Sequence, residues 1–269
     1  MSARYLVAVT RWTADFHPEQ HLSELAPAMG LPPYDARLRL AGPLPVILAR
    51  LDPTAAQTLL AWLHRRGHGA VACVVASLPA EARSPVARDF ELLPETLLVT
   101  DTRGRSLALP RDQILGLIRA AEIIDEVATV ETTKKQLALG RAVLSGGLVR
   151  SRQVTTVETR ASVERQEALY LFRSTDAEPI VFRERELNYF NLGSGRGSTQ
   201  RQSFTILVDR LRRLAPHAIY DERLLAQKRR PELAGVDGNS SKRTVTSSNS
   251  LANQTAAYLL MHGHLQRQL

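Results

Sequence analysis

Residues 29–75 read MGLPPYDARLRLAGPLPVILARLDPTAAQTLLAWLHRRGHGAVACVV, and their punctuation spells helix, strand, helix, strand. Pro32 and Pro33 head a helix over 32–40, where a missing amide donor costs little because first-turn amides have no intrahelical partner. Residues 43–51, PLPVILARL, form a strand. Asp52 then suits an N-cap, Pro53 fits the first helical position, and Ala55, Leu59, Leu60 and Leu63 draw an apolar stripe along 53–66. Gly67 stops that helix, with Arg65 and Arg66 in its last turn where the helix dipole favours cations. Ala70–Ala76 is a further strand. Upstream, Tyr5–Thr10 (YLVAVT) is an apolar, β-branched run that reads as a buried strand. Residues 18–29 carry Leu22, Leu25 and Met29 at helical spacing, with Pro27 limiting or kinking the helix and Gly30 breaking it. The order is βααβαβ, a three-stranded sheet covered by helices, assigned to a domain over 1–78.

Downstream the periodicity changes. SLPAEARSPVA (77–87) is small, polar and proline-marked, and places a linker at 79–88. Phe90–Leu93, Thr96–Thr100, Ser106–Leu109, Gln113–Arg119, 150–160, Ala168–Phe172 and Pro179–Phe182 are short strand-like runs. Asp101–Gly104 is a hairpin turn candidate. An amphipathic helix over 199–214 carries Phe204, Leu207, Val208, Leu211 and Leu214 on one face. The expected class is α+β: the βααβαβ domain, then a mostly β domain over 89–228 closed by that helix. Residues 121–149 interrupt the pattern, as a long strand-to-strand insertion or a short helix with a flexible Gly146-Gly147 end. Residues 229–269 read as a disordered tail, Ser, Thr, Asn and Gly-rich at first and ending in a short helix candidate.

The chain carries 35 basic against 27 acidic residues, a net charge of +8, which favours nucleic acid, anionic lipid or an acidic protein as partner. The excess is almost all arginine and is spread along the chain rather than gathered in one patch. Aromatics at 5% argue against a platform of exposed stacking rings. The single cysteine, Cys73, excludes an intrachain disulfide framework, sits in the apolar run AVACVVA and fits a reducing compartment. The N-terminus lacks a signal-peptide pattern and no apolar run reaches a membrane span, so the expected location is the cytoplasm.

The stretch Leu22–Val75 resembles the C-terminal domain of the bacterial ribosomal stalk protein: Gly30-Leu31, then Asp35-Ala36-Arg37, a strand, a helix ending at Gly67 and a last strand. That resemblance implies a fold and a habit of protein–protein docking. The positions matching the stalk domain's basic docking residues are Ser23 and Ala26, which carry no charge, so translation-factor recruitment is not implied. Clp-protease adaptors share a distantly similar shape. The middle domain resembles a pleckstrin-homology-like (PH-like) barrel plugged by its helix. It also resembles uncharacterised bacterial proteins sharing runs like GRAVLSGGL and APHAIYDERLL.

No catalytic constellation stands out. His17/His21 and His64/His68 have i, i+4 spacing, but neither pair has a general-base Glu or a third ligand, so no metal site and no cofactor are expected. GSGRGST (193–199) resembles a phosphate-cradling loop but lacks the lysine that reaches outer phosphates; it reads as a loop into an N-cap at Ser198 or Thr199. Asp125-Glu126 and Asp221-Glu222 are adjacent carboxylates that point apart. YDERLL is expected to lock the helix end to the barrel. Two candidate surfaces remain. One is a docking face at Ser23, Tyr34 and Arg37 for an unknown protein partner. The other is a cationic face made by Arg141, Arg150, Arg152, Arg196, Arg201, Arg210, Arg212 and Arg213, for nucleic acid or an anionic membrane. The expected function is a non-catalytic interaction or adaptor protein, with phosphate-directed binding as the alternative.

Overall fold

A computed structural model describes residues 3–80, 83–137, 151–226 and 245–269. They fall into two compact units, one holding 3–80, 83–122, 166–226 and 249–269, the other 123–137, 151–165 and 245–248. The fold is α+β.

The first sheet forms as its punctuation dictates. Strands β1 (Tyr5–Arg11), β2 (Val46–Leu51) and β3 (Gly69–Val74) stand in the antiparallel order β2-β1-β3. Helices α1 (Pro18–Met29), α2 (Pro33–Leu40) and α3 (Pro53–Arg65) connect them. The Asp52 carboxylate accepts the Ala55 amide at 3.0 Å, and Gly30 ends α1 at φ 66°, a left-handed conformation that suits a residue without Cβ. The unbroken apolar run of β1 has a plain cause: both of its faces are buried. Val7 and Val9 join Leu25, Leu48, Leu59 and Leu63 in a core beneath the three helices, whereas Leu6 and Ala8 face the opposite way.

The larger sheet has the order β10-β7-β8-β9-β4-β5-β6, with β11 also on β7. Its strands are β4 (Val86–Leu92), β5 (Thr96–Asp101), β6 (Ser106–Pro110), β7 (Ile114–Leu137), β8 (Ser151–Arg173), β9 (Asp176–Arg183), β10 (Ile219–Leu224) and β11 (Val245–Ser248). It is mixed, since β4 runs parallel to β9 and β10 parallel to β7. Helix α4 (Gln200–Leu214) covers one face, placing Phe204, Leu207, Val208 and Leu211 against Phe90, Leu117, Leu169 and Phe182. The other face meets helix α5 (Ser250–Leu265) and the outer face of the first sheet, so that Ala168, Tyr170 and Val181 share one core with Leu6, Val71, Leu259 and Leu260. Two glycines permit the close approach of the C-terminal segment. A Cβ on Gly116 would lie 2.5 Å from Met261 Sδ, and one on Gly69 would collide with the Gln268 carbonyl.

Three expectations change. The segments assigned to separate domains, 1–78 and most of 89–228, share one compact unit, because α5 and the outer face of the first sheet bury apolar surface against the larger sheet. Residues 250–265, read as a short helix candidate ending a disordered tail, form a sixteen-residue helix whose Ala256–Met261 stretch is almost wholly buried. Residues 151–160 and 168–172 of the expected runs belong to one strand, and 121–137 continues β7 rather than turning helical. Residues 138–150 of the expected insertion and 229–244 of the expected tail lie outside the described residues. YDERLL contributes β10, paired in parallel with β7 from Ile219 and Gly116.

Candidate functional site

The proposed docking residues lie on the paired helices α1 and α2. Helices α1 and α2 pack on each other through Leu25, Ala26, Ala36 and Leu40, which turns their other sides outward. An ion pair of 2.6 Å joins Arg37 on α2 to Glu19 on α1, with both side chains more than 60% exposed. Ser23, also exposed, lies one turn along α1 from Glu19. Tyr34 is 71% exposed and Leu38, one turn along α2, is 58% exposed. Leu38 was missed in the sequence reading. The signal was present, because Ala36 and Leu40 take the buried i, i+4 positions and a residue midway between them points away.

Among the described residues, Arg196, Arg201, Arg210, Arg212 and Arg213 have separate partners. Arg141 and Arg150 lie outside the described residues, and Arg152 lies in β8, in the second unit. Arg196 sits with its guanidinium carbon 5.6 Å from the Phe190 ring centre, and Phe190 is 74% exposed. Arg201 lies 3.5 Å from a Glu167 oxygen, and Arg119 donates two hydrogen bonds to the other. Arg210 donates to the Leu192 carbonyl at 3.4 Å, pinning the 190–195 turn. Arg212 stacks over Tyr220 at 4.1 Å, and Arg213 donates to the Asp209 carbonyl.

GSGRGST builds a cap rather than an open cradle. Thr199 accepts the Gln202 amide at 3.1 Å, and the Gln202 side chain accepts both the Ser198 amide and hydroxyl, at 3.0 and 2.6 Å. The amides best placed for an anion are thereby engaged.

Two polar clusters escaped the sequence reading. Glu122, 1% exposed, accepts hydrogen bonds from Gln166 and the Tyr170 hydroxyl, each at 3.0 Å, and lies 3.2 Å from Arg183. Arg183 also donates to the Ser250 hydroxyl at 2.7 Å, tying β9 to the start of α5. Asp221 accepts from Arg223 and stands 2.9 Å from His264 Nε2. Burial alone would raise the Asp221 carboxyl, but Arg223 and His264 outweigh it and hold it below the usual range.

No family, curated protein or solved structure matches this chain. Its chemistry therefore has to be read from its own side chains. Among the described residues no three His, Cys, Asp or Glu side chains converge to hold a metal ion, and no helix is long and apolar enough to cross a membrane.

His68 is built into the packing. Trp12 and Phe16 stack at 3.9 Å, and His68 stands edge-on to both at 5.0 and 4.8 Å. His68 Nδ1 accepts the Thr13 amide at 3.2 Å, and His64 Nε2 lies 3.0 Å from the Ala70 carbonyl. Burial, then the charges of His21, Arg66 and Arg11, hold His68 below the usual imidazole range; burial does the same for His262. Below about pH 6.5 the unfolded chain takes up protons on these rings that the folded protein resists, so stability declines as pH falls through that value. Thermal melts should be level between about pH 8 and 7 and decline from about pH 6.5 to 5. Asp101 and Asp221, both held low, add their loss only near and below the free aspartate value of about 3.9. A His68→Gln/His262→Gln variant should lose most of the slope between about pH 6.5 and 5, and an unchanged slope would contradict this origin.

Proposed function

We propose that the protein is a non-catalytic, cytoplasmic interaction protein that docks a protein partner through the outer side of α1 and α2. The observation that carries this reading is the pairing of Tyr34 and Leu38 on one exposed helix face, bordered by the Arg37–Glu19 ion pair. Two large apolar side chains one turn apart, rimmed by charge, is the composition of a helix-mediated contact. The ion pair itself contributes little to stability, about 0–1 kcal/mol in such exposure, so its charges remain available to a partner. The βααβαβ order of residues 5–74 supports the stalk-domain resemblance and its docking habit. Cys73 is buried, and that burial pushes its thiol up to about 11.

The alternative, a continuous arginine stripe for nucleic acid or anionic membrane, has less support. Arg201 is engaged by Glu167 and Arg210 by a backbone carbonyl.

A photo-crosslinking benzoylphenylalanine at position 34 tests the docking face in cells. A discrete cross-linked protein is expected, resistant to nuclease, absent with the same group at exposed Gln57 on α3, and lost on Leu38→Ser. Equal labelling from positions 34 and 57 would overturn the proposal. Products that vanish with nuclease would move the assignment to nucleic acid.

A further inference from the structure

The last turn of α4 and the start of β10 border a groove of about 520 Å³, inside the ~300–1,000 Å³ range of small-molecule sites. Its walls bring Arg212 and Arg213 beside Tyr220 and Asp209, and its floor includes the small residues Ala215 and Ala218. The two guanidinium groups differ in how they are held. Arg213 spends its Nε on the Asp209 carbonyl at 3.3 Å, the ordinary duty of a cation at a helix C-terminus. Arg212 makes no such bond. Its guanidinium lies over the Tyr220 ring, 4.1 Å from the centre, while Asp209 stays 4.0 Å away, too far for a hydrogen bond.

The ring beneath Arg212 is itself fixed. The Tyr220 hydroxyl donates to Glu222 at 2.9 Å. Stacking holds a planar guanidinium by its face and leaves its N–H edge available; no described residue accepts from that edge or from the terminal nitrogens of Arg213. Two cationic forks against one carboxylate leave the groove net positive. Planar forks of this kind match the oxygens of a carboxylate or phosphate in pairs, which a lysine ammonium does not. The aromatic edge and the alanine floor suit a flat apolar body better than a hydrated inorganic ion.

We propose that this groove binds a small aromatic oxyanion, a carboxylate or phosphate group carried on a planar ring, with Arg212 and Arg213 holding the oxygens and the Tyr220 side of the groove receiving the ring. The site is independent of the α1–α2 docking face.

Calorimetric titration of the full chain with phenyl phosphate, benzoate and inorganic phosphate tests it. Saturable binding of at least one ring-bearing probe is expected, at least tenfold tighter than inorganic phosphate. The stronger of the two ring probes identifies the headgroup. Arg212→Lys keeps the charge but loses the fork and the stack, and should weaken binding about tenfold or more. Asp209→Asn removes the one opposing charge and should tighten binding severalfold, a gain that a misfolded variant cannot produce. No heat with any probe overturns the proposal, as does a result in which neither ring-bearing probe binds at least tenfold more tightly than inorganic phosphate. Full affinity in Arg212→Lys/Arg213→Lys would show general charge attraction instead and equally overturn it.

Discussion

A chain ended at Ser248 will lack a cooperative thermal transition. Such a chain keeps every strand of both sheets and loses only α5 and the residues after it. Four side chains, Tyr258, Leu259, Leu260 and Met261, go with it, none more than 6% exposed. Burying a large apolar side chain stabilises by about 1.5–3 kcal/mol, so the four contribute about 6–12 kcal/mol as an upper figure. That matches the whole stability of a typical domain, about 5–15 kcal/mol. The truncation also uncovers the face of β1 and β3 that carries Leu6, Ala8 and Val71, together with the opposing Ala168, Tyr170 and Val181. Dye binding to exposed apolar surface should rise as near-ultraviolet circular dichroism collapses. A synthetic peptide of residues 249–269 added in excess should restore part of the signal. A truncated chain that melts cooperatively near the full-length temperature would show that α5 is an accessory and not a layer of the core.

The second large effect is expected from Arg183→Met. Glu122 is fully enclosed and has Arg183 as its neighbouring cation at 3.2 Å. Removing one member of a buried ion pair leaves a carboxylate in an apolar surround and costs about 3–5 kcal/mol. The same substitution strips the Ser250 hydroxyl of its 2.7 Å donor, loosening the first turn of α5. For a body of roughly 200 residues this corresponds to a Tm lowered by about 6–20 °C. Glu122→Gln in the same chain removes the stranded charge while keeping groups for Tyr170 and Gln166, and should recover more than half of the loss. Denaturant unfolding of the single and double variants measures this directly. A loss below about 1 kcal/mol in Arg183→Met would mean that water reaches Glu122 and the network is not a closed one.

The first seventy-odd residues are legible because each boundary carries a local chemical mark: Asp52-Pro53 opening α3, Gly30 closing α1, Gly67 after α3. The larger sheet is half legible. Its short hairpin β5–β6 announces itself through Asp101, whose carboxylate accepts the Arg103 and Arg105 amides at 2.9 Å each, with Gly104 at φ 77°. The length of β8 is not legible, because polar residues at 161–167 look like a loop when only local composition is weighed. Helix α5 is legible as a short helix candidate, but its place in the core is not. It is packed all round, so no one-sided apolar stripe marks it, and its buried Ser250, Asn253 and Gln254 imitate linker residues. Their partners, such as the Ala121 carbonyl that takes the Asn253 amide at 2.7 Å, are far away in sequence.

The candidate sites divide along the same line. Tyr34 and Arg37 could be named from a short helix read locally. A common arginine face could not be judged that way. Arg210 and Arg212 are two residues apart on α4 and so point about 200° apart, while Arg201 and Arg212 share a side but stand about 16 Å apart along the axis. Only the pairing of β10 with β7 brings Tyr220 under Arg212 and makes a groove of that end.

The Thr10 hydroxyl donates to the carbonyl of Gln268, 258 residues further along the chain. At ribosomal rates of about 5–20 residues per second, that separation is roughly 13–52 s of synthesis. For most of that interval the cover over Leu6 and Ala8 of β1 is incomplete, because the facing strands and α5 are made later. The three-stranded unit can assemble early around its own helices, yet one of its sides stays greasy until α5 has been made. Chaperone demand should therefore follow translation speed, and codon changes that slow residues 80–250 should lower soluble yield without altering a single side chain.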